Sequence, residues 1–179
     1  NLIYLATSNG IIVYSITIDK SLGYFSSKIL NHCEIFDIEK IDDNLYVASS
    51  DGLYSVDLKN NKFEYLSDRL FLKISVNNDS IALTTHNKIY LFENNRLIFL
   101  FNSKNIKNIK YIDNYIWVHN DNYATLYNLI NDNNYKYNYL DGIPGDIIYN
   151  FNLNKNWICF NTNNGITFYN WSKFHADEK

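Results

Sequence analysis

The chain has 179 residues, 46% of them hydrophobic and 20% charged, and a net charge of −3. That length suits one domain with a sizeable core, and the mild acidity gives no reason to expect non-specific binding to nucleic acid. No run approaches the length of an apolar membrane-spanning helix, and the lack of a leader or initiator Met leads us to expect a processed piece or a domain of something longer.

The chain opens straight into a predicted hairpin over residues 1–18, turning at Asn9-Gly10. Residues 23–30 read as an outer strand, and residues 31–34 as a crossover loop. Ile35–Ile41 is the next inner strand. Its alternation sets Ile35, Asp37, Glu39 and Ile41 on one face and Phe36, Ile38 and Lys40 on the other. A second hairpin turns at Asp51-Gly52 and is followed by strands at 62–66 and 70–76. A third middle strand runs into His86-Asn87-Lys88, followed by strands at 96–101 and 108–112. A fourth runs into Asp121-Asn122-Tyr123, followed by strands at 135–140 and 147–153. The last turns at Asn164-Gly165. The tail after Trp171 is too polar and short for an outer strand.

These hairpins are copies of one module. Aligned on residues 10, 52, 88, 123 and 165, they are spaced 42, 36, 35 and 42 residues apart. Periods of this size belong to solenoids, propellers or arrays. Short runs of Val, Ile, Tyr, Phe and Thr between Asn, Asp and Gly are strand signals, and Asn-Gly or Asp-Gly between them is a hairpin signal of type I′. Lys88 and Tyr123 replace the Gly, so those two turns are expected to be longer or of another type. Four strands per period of about 40 residues is the signature of a propeller blade. The fold class is therefore an all-β propeller of four-stranded antiparallel blades, four to five in this chain. A parallel β-helix is the rival, but its coils are shorter and need no hairpin each. We expect one domain over 1–179, with repeat units of about 1–41, 42–77, 78–112, 113–153 and 154–179. Five middle hairpins stand against four outer and four inner strands, so an incomplete ring is expected. Such a ring exposes blade faces and edges, and more chain, a second copy or a protein partner would complete it.

Two stretches carry a specific resemblance. Residues 44–66 read NLYVASSDGLYSVDLKNNKFEYL, a strand, Asp-Gly-Leu, a strand and Asn-Lys-Phe. In residues 141–171, Gly142-Ile143-Pro144 is similar to an opening Gly-Leu-Pro, followed by Trp157 and Asn164-Gly165-Ile166. The chain thus resembles the two-component regulator propeller repeat family, tightly over these stretches and loosely elsewhere. The third and fourth copies depart at the Gly. The resemblance implies seven-bladed propellers, often paired, in the extracytoplasmic part of bacterial sensor kinases. It implies ligand or partner sensing at a periplasmic or cell-surface location, without catalysis.

The four histidines, His32, His86, His119 and His175, form no metal-ligand spacing, and no nucleophile, phosphate or calcium motif is present. We therefore expect no catalytic residue, metal or cofactor. Cys33 and Cys159 stand far apart, and a small buried thiol is the expected role of Cys159. Tyr4, Tyr46, Trp117, Trp157, Phe160 and Phe168 are expected in the core, since propeller strands pack blade on blade. A stacking platform for sugars or bases is the alternative. Lys104, Lys107 and Lys110 form a small basic cluster whose plain reading is a solvated loop, with an anion contact as the other.

In a propeller the middle turns and the blade-to-blade loops gather on one rim. The candidate partner-binding rim is Asn9, His32, Asp51, Arg69, Asn87, Lys107, Asp121, Asp146 and Asn164, because loops on a rigid scaffold carry binding. Two functions follow. One is a non-enzymatic binding or scaffold module. The other is a quinoprotein-like or lyase-like propeller enzyme completed by other sequence.

Overall fold

The computed structural model describes residues 1–25, 30, 32–78, 80–154 and 156–175. Among these, the chain folds into five small antiparallel sheets. The first contains β1 (Leu2–Thr7), β2 (Gly10–Ser15) and β3 (Lys20–Tyr24). The second contains β4 (Ile35–Ile41), β5 (Asn44–Ser49), β6 (Gly52–Asp57) and β7 (Lys62–Ser67). The third contains β8 (Lys73–Asn77), β9 (Ser80–Thr84), β10 (Lys88–Glu93) and β11 (Arg96–Asn102). The fourth contains β12 (Asn108–Ile112), β13 (Tyr115–His119), β14 (Ala124–Asn128) and β15 (Asn134–Tyr137). The fifth contains β16 (Ile148–Asn154), β17 (Trp157–Thr162) and β18 (Gly165–Tyr169). A 3-10 turn at Tyr139–Asp141 and a short helix α1 (Trp171–Phe174) complete the elements.

Each sheet is an up-and-down meander. The sheets follow one another in ring order, with β4 packing on β1, β8 on β4, β12 on β8 and β16 on β12. This is a five-bladed β-propeller arrangement. By register, β1 matches β5 rather than β4, so the first sheet has no counterpart of the inner strands β4, β8, β12 and β16 among the described residues. The fifth has no counterpart of the outer strands β3, β7, β11 and β15.

The core lies in the seams between blades. Ile11 of the first blade meets Leu45, Val47 and Val56 of the second. Leu53 of the second meets Phe71, Ile74 and Leu83 of the third. Ile89 of the third meets Ile109, Ile116 and Val118 of the fourth. Trp117 and Leu126 of the fourth meet Phe151, Ile158 and Phe160 of the fifth. No such cluster joins the fifth blade to the first among the described residues. There, Ile3 and Leu5 of β1 and Tyr24 of β3 are exposed, as are Trp157, Ile166 and Phe168 of the fifth blade.

Five sequence expectations need correction. Trp157 and Phe168 are not core: they are 49% and 67% exposed, because they lie on the face of the fifth blade that no neighbouring sheet covers. Cys159 shares that face with Phe168 and is only partly buried. The first outer strand is Lys20–Tyr24, earlier than 23–30, because a turn at Ile16–Asp19 returns the chain at once. Residues 26–29 lie outside the described ones. In β4 a bulge between Ile35 and Asp37 breaks the alternation. Ile35 therefore joins Ile38 in the seam toward the first blade, while Ile41 packs in the next seam. An inserted residue flips the facing of everything before it.

The Gly hairpins are also not type I′. Their two loop residues are Ser8-Asn9, Ser50-Asp51 and Asn163-Asn164, and the Gly is the first residue of the following strand, with φ between +111° and +134°. A hydroxyl at the end of the preceding strand organises each turn. Thr7, Ser49 and Thr162 each accept the N–H of the second loop residue and donate to the Gly carbonyl. The β9–β10 and β13–β14 connections, where Gly is missing, leave three and four residues between the strand ends, yet Thr85 N–H to Lys88 O and Asn120 N–H to Tyr123 O (2.9 Å each) close them at the same spacing as the Gly hairpins, so the expected lengthening is confined to the strand ends.

Candidate binding rim and axial cavity

Antiparallel order fixes one end of every blade. The turn between the second and third strands and the crossover into the next inner strand emerge together. Backbone hydrogen bonds tie them: Ser50 N–H to Glu34 O (2.8 Å), Leu72 N–H to Thr84 O (2.7 Å), Ser103 N–H to Asn87 O (3.0 Å), Lys107 N–H to His119 O (2.9 Å) and Asn163 N–H to Ile147 O (3.2 Å). All nine candidate rim residues belong to these segments.

Asn9, His32, Arg69, Asn87, Asp146 and Asn164 are exposed. His32 stands at φ +73°, in the left-handed region. Asp51 accepts the Cys33 thiol proton across 3.0 Å. Burial, with the Asp51 hydrogen bond and charge, pushes that thiol up to about 11. Arg69 lays its guanidinium over the Tyr90 ring, 4.8 Å from its centre. Lys107 and Asp121 meet as an ion pair at 3.3 Å. Neither Cys33 nor Cys159 is in a disulfide.

A second feature lies on the axis. A cavity of about 470 Å³ opens between the inner strands, lined by Asp37 and Glu39 of β4, Lys73 of β8, Asn108 and Lys110 of β12, and Tyr149 and Asn150 of β16, together with Lys107 and His119. Residues near the start of three of the four inner strands act alike. Asp37, Asn108 and Asn150 each accept the N–H of the following residue through Oδ1, at 3.1, 2.9 and 2.8 Å. They also stitch blade to blade. Asp37 Oδ2 accepts Ile74 N–H (3.0 Å), Glu39 Oε2 accepts Val76 N–H (2.7 Å), Ser75 Oγ accepts Tyr111 N–H (3.0 Å), and Asn108 donates its amide to Asn150 (3.1 Å). Lys110 reaches past the third blade to Glu39 at 3.4 Å.

Sequence reading did not assemble this axial group. Its signal is nonetheless there: Asp37, Lys73, Asn108 and Asn150 recur at the repeat spacing, each followed by Ile or Phe. Charges do converge on the axis, although the asparagine-rich rim alone gave no reason to expect it.

The histidines divide in two. His32 and His86 are exposed. His119 is buried at the end of β13 and donates Nε2–H to Ile148 O at 2.8 Å. Burial holds its pKa below the ordinary value, against the Ile148 carbonyl and the Asp121 charge. His175, placed by sequence in a polar tail, is buried with Trp171 against Tyr115, and its Nε2 is 2.7 Å from the Tyr137 hydroxyl. One helical turn folds the start of the tail back into the fourth seam. Among the described residues no group of three or more His, Cys, Asp and Glu is placed to hold a metal ion. No helix among them is long and apolar enough to cross a membrane.

The architecture defines the chain as a propeller protein, and solved structures agree. The extracellular domain of a one-component system from B. thetaiotaomicron matches 94% of this chain at 18% identity and a TM-score of 0.70. PorZ, a bacterial surface component of the type-IX secretion system of Porphyromonas gingivalis, matches 96% at 13% identity and 0.68. A structure of a nidogen/laminin complex matches 96% at 10% identity and 0.71. This chain spans 26%, 24% and 74% of those chains' own lengths. At such identities the likeness establishes the fold. No family model matches the chain, and no curated protein matches it significantly in sequence.

Proposed function

We propose that this chain is a non-catalytic binding module that presents its partner-binding surface on the propeller rim, as part of an extracytoplasmic sensor or scaffold. One observation carries the reading: among the described residues, turns and crossovers emerge at one end of the sheets, and in the second to fifth blades backbone hydrogen bonds tie turn to crossover. Variable loops on a rigid frame are what recognition uses. Neighbours that are an extracellular domain and a surface secretion component support the setting, by fold analogy alone. The resemblance to the two-component regulator propeller repeat points the same way.

The test is capture of partners from source-cell extract by the full chain, followed by rim substitutions. Arg69→Ala and Asp146→Ala should each weaken capture at least several-fold, while Asn60→Ala on the opposite end should not. Intact capture by both rim variants overturns the rim.

The uncovered faces of the first and fifth blades are part of the same reading. We infer that further protein of blade-like chemistry covers them and completes the ring. The second reading, a propeller enzyme, draws on the axial charges. Yet Asp37 and Glu39 commit oxygens to backbone N–H groups of the next blade, the use a structural carboxylate has.

A further inference from the structure

We propose that the axial cavity is a binding site for a small oxyanion, a carboxylate or phosphate group, held by Lys73, Lys107 and Lys110. This goes beyond the rim reading and stands whether or not a protein binds there.

The argument is an inventory of donors and acceptors. Three ammonium groups line the cavity against two carboxylates. Each ammonium has three N–H donors and no acceptor. The acceptors facing them are already engaged elsewhere in part. Both oxygens of Asp37 take backbone N–H groups, from Ile38 and Ile74. Glu39 divides its oxygens between Val76 N–H and Lys110. Asn150 Oδ1 already takes Phe151 N–H and the Asn108 amide. Lys73 stands 4.0 Å from Asp37, too far for a hydrogen bond, and Lys107 pairs with Asp121 from outside the cavity lining. Each of the three lysines has an ion-pair partner, but their N–H donors outnumber the contacts made, which leaves a deficit of acceptors at the ammonium groups. A ligand that supplies several acceptor oxygens and one or two negative charges fits that deficit.

The geometry adds a reason for the site to hold its shape. The carboxylates are fixed by strand N–H groups from the neighbouring blade, so they position Lys73 and Lys110 rather than following them. The volume suits a molecule of metabolite size. The cavity lies by the start of the inner strands, at the end where the rim loops emerge, so a ligand has a path in from that side.

The experiment is NMR of the lysine side-chain methylene groups in the full chain, titrated separately with inorganic phosphate and with malonate. Sodium chloride at matched ionic strength is the control. Saturable shifts of the Lys73 and Lys110 signals, with Lys59 and Lys62 unmoved, are expected. Lys73→Gln with Lys110→Gln should weaken binding at least tenfold, and Lys110→Arg, which keeps the charge, should retain most of it. A thermal melt of each variant separates lost binding from lost fold. Response to phosphate alone or malonate alone identifies the anion. Non-saturating shifts equal to those in chloride overturn the proposal, as does full binding by a folded double variant.

Discussion

His119 and Cys33 are the two residues whose chemistry burial changes most usefully. Burial in the folded state disfavours the charged form of His119, while the unfolded chain takes up its proton near pH 6.5. As pH falls through that value, the unfolded state binds more protons and stability drops. Above it the contribution is fully present. We expect urea midpoints to fall between pH 7.5 and 5.5, and His119→Asn to flatten that slope. An unchanged slope in the variant would assign the pH dependence to other groups. Cys33 is buried and its thiol is held up at about 11, so little thiolate exists at pH 8. Cys159 is partly exposed. A thiol-specific reagent should label Cys159 in the native protein and Cys33 only on unfolding, read as one equivalent before denaturant and two after. Trp117 is fully buried in the fourth seam. Trp117→Ala should cost about 3–5 kcal/mol in denaturant unfolding.

At the scale of the element, the Gly hairpins differ in what they ask of their glycine. Gly52 and Gly165 stand at φ +128° and +134°, a region that L side chains rarely adopt. A Cβ on Gly52 would collide with the Ser67 carbonyl, whereas one on Gly165 meets open space. Backbone strain alone costs on the order of 1–3 kcal/mol. Gly165→Ala should therefore lose about that much, and Gly52→Ala clearly more, measured by urea unfolding of the two variants side by side. Equal losses would mean that β7 moves aside freely. The repeat made the position of each hairpin legible, but the turn type was not. The hydroxyls of Thr7, Ser49 and Thr162 close these loops, and Gly is needed next to the loop rather than within it. The both-positive turn that Asn-Gly suggested occurs instead at Asn94-Asn95 (φ +50° and +58°). The rim was legible because alternating strand direction sends like connections to like ends. The axial cavity was not, because its residues come from four inner strands about 40 positions apart.

At the scale of the molecule, the described residues form four apolar clusters in four seams, and two blade faces among them carry exposed Ile, Leu, Trp and Phe. Apolar patches of this kind normally meet protein. We expect the native particle in its source to exceed 21.1 kDa, the mass of this chain. Trp157→Ser with Phe168→Ser should weaken that association while barely changing the unfolding midpoint of the isolated chain, since neither side chain is buried in it. Light scattering across a dilution series reads the first and urea unfolding the second. A stable, monodisperse 21.1 kDa monomer would leave the exposed faces without the partner inferred for them.

The sequence by itself determined the repeat, the strands and their inner, middle and outer roles, because strand alternation and turn chemistry are local and recur at a fixed spacing. It also set which connections share a rim, since antiparallel order follows from the strand count. Tertiary structure decided the rest. Whether Trp157, Phe168 and Cys159 are core depends on a neighbouring blade, not on their own strand. The facing of Ile35 depends on one bulge. Trp171 and His175 became core only when a single helical turn folded them against Tyr115. The axial carboxylates and lysines became a site only when four strands met, since burial and charge proximity are properties of packing that no local pattern encodes.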